Sequence, residues 1–166
     1  LEGIDVSIKD VRNFLESDLI AAFNPIRQYL YGCEGAWDGH DHIGALADTV
    51  PNDNPHWRRW FRTWFLAMVS QWTQPADSTY GNSVAPLLIS AQGFHKSTFC
   101  RRILPRELRW GYTDNLVLSE KRQVMQAMSQ QLLINLDEFN QISPKVQQGF
   151  LKNIIQLPCI KLKRPY

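Results

Sequence analysis

With 166 residues, the chain can hold one ordinary domain, or a domain with a helical appendage. Its 44% hydrophobic and 20% charged residues exclude a disordered polymer, and a net charge of +2 leaves any nucleic-acid surface to clustering rather than to total charge. Cys33, Cys100 and Cys159 lack C-x-x-C spacing, which excludes a disulfide framework or zinc ribbon and favours a reducing compartment.

The N-terminal "LEGIDVSIKD" lacks the basic-then-apolar pattern of a signal peptide. No apolar run approaches the roughly 20 residues a bilayer requires. A cytoplasmic protein is expected. The first residue is Leu1, and "CIKLKRPY" closes the sequence without a terminating turn, which reads as a piece cut from a longer chain.

From Ile8 to Tyr31 the pattern is helical, with Val11, Phe14, Leu15, Leu19 and Ile20 sharing a face. Asn24-Pro25 divides it into two helices. The stretch 32–55, rich in Gly, Asp, Asn and Pro, reads as loop with a short helix near Ile43 to Ala47. Within it, Asp38, His40, Asp41 and His42 invite a metal reading, but no further ligand is evident. Trp37 reads as a packing anchor. Residues 56–72 form the strongest helix, with Trp57, Trp60, Phe61, Trp64, Phe65, Met68 and Trp72 on one broad face and Arg58, Arg59 and Arg62 on the other. Core packing with a solvated basic edge and stacking on single-stranded nucleic acid are both open.

Beyond "TQPADSTYGNS" the grammar changes. Residues 84–90 read as a buried strand, and a helix starts near Lys96. Ser119 is the expected N-cap of a helix through about Gln130. "QLLINLDEFN" reads as a second buried strand ending in acids. Ser143 and Pro144 open a last helix with Val146, Phe150, Leu151 and Ile154 inward. The expected fold is α/β, with helical residues 1–80 packing on a mostly parallel core over 81–166.

The chemistry sits in "LLISAQGFHKSTF". A strand, a tight turn at Gly93 and a helix start with Lys96 and Ser97 form the grammar of a phosphate-binding loop. Gln92, Gly93, Phe94, His95, Lys96, Ser97 and Thr98 are its candidate ATP-binding residues. Lys96 supplies the point charge and Ser97 the Mg²⁺ hydroxyl. Ser90 and His95 stand where the strict pattern has glycine. Downstream, "LLINLDE" offers Asp137 to orient Mg²⁺ and Glu138 as general base for the attacking water. The two motifs strengthen each other by falling in the right order, each after an apolar run.

These segments, with "NPIRQYL…WDGHDHIGAL", resemble the virulence-associated protein E family. The family loop reads G-x-Q-G-x-G-K-S-T-F; Gln92, Gly93, Lys96, Ser97, Thr98 and Phe99 match it, while Ser90 and His95 depart. The resemblance runs from about Asn24 to Tyr166. It implies a P-loop NTPase core, truncated at its C-terminus, of a phage or mobile-element ATPase similar to superfamily-3 helicases. It further implies ATP and Mg²⁺ as cofactors, single-stranded or forked DNA as partner, and a homo-oligomeric ring. Lys161, Lys163 and Arg164 correspond to a basic segment suited to DNA phosphates. The sensor residue and arginine finger are expected beyond Tyr166, so the piece alone should turn over ATP weakly or not at all. The alternative is a non-catalytic nucleic-acid-binding or assembly module with a degenerate loop.

Overall fold

The computed structural model describes residues 6–21, 23–73, 82, 84–137, 144–145 and 149. Local side-chain chemistry fixes where its first helices start. Ser7 caps α1 (Ile8–Leu15) by accepting from the Asp10 N–H, and Asp10 reaches back to the Ser7 N–H. Asn24 accepts from the N–H groups of Ile26 and Arg27 ahead of α2 (Pro25–Gly32). The first helix, expected to continue toward Asn24, stops at Leu15. There Ser17 Oγ donates to the Phe14 carbonyl at 2.7 Å, a local bond that competes with the helical ladder. Val11, Phe14, Leu15, Leu19 and Ile20 are all exposed.

Asp41 caps α3 (His42–Asp48) through the Gly44 N–H. The same carboxylate receives Arg58 and Arg62 from α4 (Trp57–Thr73), at 3.0 and 2.9 Å. Arg58 also reaches Asp48 at 3.1 Å. The Gly44 N–H, then Arg58, hold the Asp41 carboxyl below its ordinary pKa. Arg58 and Arg62 are therefore spent on α3 and do not form a free basic edge. Trp37 corrects another expectation. It is 78% exposed and tied only locally, through Nε1 to the His40 carbonyl, so it anchors no core.

The aromatic face of α4 packs inward. Phe61, Trp64 and Met68 join Ala47 of α3 and Ile103 of α5 (Lys96–Ile103) in one cluster, flanked by Phe99 and Leu133. Two half-buried indoles fasten the ends of α4, each packing its ring against the core while satisfying its N–H. Trp57 Nε1 donates to the Ala47 carbonyl at 2.9 Å, and Trp72 Nε1 to the Leu132 carbonyl at 3.0 Å. Nucleic-acid stacking by this face is thus confined to its half-exposed member, Trp60.

A 3₁₀ helix (Arg106–Gly111) leads into β1 (Tyr112–Thr113), which runs parallel to β2 (Leu133–Ile134) with Tyr112 opposite Leu133. Parallel strands need a crossover, and α6 (Lys121–Gln130) provides it. Glu120, not Ser119, occupies its N-cap position, without a side-chain cap. The Leu132 N–H to Gly111 carbonyl bond, 2.7 Å, extends the pairing backward, and Asn135 N–H to Thr113 carbonyl, 2.8 Å, extends it forward.

Residues 84–90 do not form the expected buried strand. They have no ladder partner among the described residues, and Leu87 and Ile89 are 72% and 84% exposed. The reason is topological: the described sheet has two strands, and neither lies against this run. The helix expected to bury Val146, Phe150, Leu151 and Ile154 lies outside the described residues.

Close packing where the strands meet gives a specific expectation. Gly111 is buried, and a Cβ there would meet Leu132 Cγ at 2.5 Å and Cδ1 at 2.8 Å. Gly111→Ala should therefore cost about 1–3 kcal/mol through overpacking. Its urea midpoint should fall without a change in m-value; an unchanged midpoint would show that Leu132 yields freely.

Candidate functional site

The carboxyl edge of a parallel strand pair collects side chains that leave the sheet in one direction. Asp114 follows β1 and Asp137 follows β2, so both acids emerge at that edge. Helix α5 lies against them. Ser97 Oγ donates to Asp137 Oδ2 at 2.6 Å, and Arg101 Nη2 donates to Asp114 Oδ2 at 2.8 Å. Positions 97 and 101 are one helical turn apart on the same face. One helix is thus clasped to two strand ends by side chains spaced i, i+4.

The loop before α5 turns twice into left-handed backbone. Gly93 has φ 90°, and His95 has φ 55° and ψ 27°. At Gly93 the angle alone demands glycine, because a Cβ would meet open space. His95 is the N-cap residue of α5 but makes no side-chain cap bond. The first-turn N–H groups are therefore not capped by that side chain, and with the helix dipole they favour an anion. Gln92, Phe94 and Thr98 are exposed around it, Phe94 by 70%.

Lys96 folds back over this loop. Its Nζ donates to the Ser90 carbonyl at 3.1 Å, Ser90 Oγ at 3.0 Å and the Ala91 carbonyl at 3.1 Å. Ser90, one of the positions that departs from glycine, thereby gives the ammonium an extra acceptor. Cys100 packs nearby as a neutral thiol. Burial first, and the charge of Asp137 second, raise its pKa.

Ser97 and Asp137 present hard oxygen donors, the kind that suits Mg²⁺. The donor pair fits that ion. Among the described residues no three His, Cys, Asp or Glu side chains converge as a metal cage, at Asp38, His40, Asp41 and His42 or elsewhere. At the former, Asp38 Oδ1 accepts from His42 Nε2 at 2.9 Å, and Asp41 serves α3 and α4. Glu138, Lys161, Lys163 and Arg164 lie outside the described residues.

Nothing in the sequence pattern marks β1, Asp114 or the Arg101 that pairs with it. "YTD" has the same strand-then-acid form as "INLD", but two strand residues are too few for periodicity to register.

Among the described residues, fold and site together define a mostly helical protein with one two-stranded parallel sheet, a lysine-bearing loop, and a serine–aspartate contact at the carboxyl edge of the strands. The chain belongs to the virulence-associated protein E-like domain family, whose model matches residues 30–166. That membership points to a replication-associated protein of a phage or mobile element. No curated protein and no solved structure gave a match. Among the described residues no helix is long and apolar enough to cross a membrane.

Proposed function

We propose that the chain binds Mg-ATP on the loop 92–98 and belongs to the ATPase core of a DNA-replication motor. The observation that carries this reading is the Ser97–Asp137 contact at 2.6 Å, which unites two motifs that lie forty residues apart. Backbone N–H groups after Gly93 and the ammonium of Lys96 would take the phosphates. Ser97 and Asp137 would hold Mg²⁺, which when bound neutralises phosphate charge. Glu138 would position and deprotonate the attacking water, and an arginine from a neighbouring subunit in a ring would complete the site. The mostly parallel P-loop core, larger than the two described strands, belongs to the same proposal.

Mg-ATP should raise the melting temperature of the chain. A ligand at a hundred times its Kd stabilises by about 2.7 kcal/mol. In Asp137→Asn the magnesium-dependent part of that rise should vanish while the fold persists. Turnover is to be sought with DNA present.

One observation favours a second reading, a nucleic-acid-binding or assembly module that has lost tight nucleotide contact. Lys96 is already satisfied by Ser90 and Ala91. No melting shift at millimolar nucleotide, with salt-sensitive DNA binding retained, would select it.

A further inference from the structure

Past the loop, α5 carries a second concentration of charge. A shallow cavity of ≈ 200 Å³ is lined by Ser97, Thr98, Arg101, Arg102 and Arg109. The first four stand on adjacent i, i+4 rows of α5, and Arg109 comes from the 3₁₀ helix. Arginines in the last turn of a helix are ordinarily explained by the helix dipole. That accounts for Arg101 and Arg102 but not for Arg109, which reaches the same cavity from another element.

The charges do not cancel locally. Asp114 engages Arg101, whose guanidinium also lies 5.5 Å from the centre of the Tyr112 ring. Among the described residues Arg109 Nε meets only the Leu104 carbonyl, at 3.4 Å. Among the described residues no carboxylate pairs with Arg102 or Arg109. Two uncompensated guanidiniums thus line a cavity smaller than the roughly 300–1,000 Å³ of ordinary small-molecule pockets. Planar guanidinium forks match phosphate oxygens in pairs.

We infer that this cavity is a phosphate-binding site on the flank of α5 beside the loop, in which Arg102 and Arg109, neither of them a loop residue, grip the phosphate group. Its ligand is a phosphate-bearing compound, either a strand of nucleic acid or a free phosphate ester. The inference goes beyond the nucleotide reading and does not depend on it, since Arg102 and Arg109 both lie outside the loop.

The test uses the Lys96→Ala background, so that the loop contributes least. Inorganic pyrophosphate and a fluorescently labelled thymidine homopolymer are titrated separately. Arg102→Gln/Arg109→Gln should weaken binding of at least one probe by about tenfold or more. For the homopolymer, the salt slope should flatten by roughly 0.7 per arginine removed. An effect on the homopolymer alone assigns a nucleic-acid strand, and an effect on pyrophosphate alone assigns a free phosphate ester. Arg102→Gln, which breaks no ion pair or side-chain hydrogen bond among the described residues, should show part of the loss with an unchanged melting temperature. Unchanged affinity for both probes would overturn the site. So would an equal loss in Arg12→Gln/Arg59→Gln, which removes the same charge elsewhere.

Discussion

Phe61→Ala is expected to lower the unfolding free energy by about 3–5 kcal/mol, the usual cost of deleting a buried aromatic ring. Phe61 is 1% exposed, and its ring centroid lies 5.3 to 6.2 Å from those of Trp57, Trp64, Phe65 and Phe99. The first three neighbours belong to its own helix. Phe99 belongs to α5, three residues beyond the lysine of the loop. Deleting the ring leaves a cavity between α4 and α5, and α4 cannot close it freely while Trp57 and Trp72 pin its ends. With total stabilities of about 5–15 kcal/mol, that loss is a large fraction of the whole. Phe61→Leu, which keeps more of the buried volume, should lose much less. Chemical unfolding followed by tryptophan fluorescence measures both. A loss below about 1 kcal/mol for Phe61→Ala would mean that α4 and α5 do not share one core.

The same helix shows what could be read from sequence and what could not. Seven apolar side chains repeat at helical spacing over 57–72, enough signal to place α4 and its buried face. Arg58 and Arg62 were legible as the opposite face, but not as partners of Asp41, because that acid lies across a loop on another helix. The start of α5 was legible at Lys96 from loop chemistry. Residues 84–90 misled because a short apolar run carries no information about whether a neighbouring strand will pair with it. Asp114 was invisible for a related reason: its significance comes from the parallel register of β1 with β2, a long-range property. Ser97 and Asp137 were singled out by motif alone. Their proximity depends on the α6 crossover, which returns the chain beside β1.

Lys96→Ala separates a binding role for the loop from a structural one. The ammonium bonds to two carbonyls and one hydroxyl near the surface, groups that water can satisfy when the side chain is removed. Stability should therefore change by less than about 1 kcal/mol. Nucleotide affinity should fall by at least about tenfold, since a hydrogen bond to a charged group contributes about 1.5–3 kcal/mol. Titration calorimetry with Mg-ATP, run beside a thermal melt, reads both quantities; unchanged affinity would end the nucleotide proposal. His95→Gly supplies the opposing arm. His95 holds φ 55°, a conformation that costs a residue with a Cβ about 1–2 kcal/mol and costs glycine nothing. Glycine also makes the unfolded chain more flexible, by roughly 0.5–1 kcal/mol, so stability should scarcely move. Affinity should hold or tighten, because the loop keeps its turn and loses only an imidazole that caps nothing. Weaker binding by His95→Gly would instead mean that the ring turns toward the phosphates and donates to them, making His95 a working part of an unusual loop.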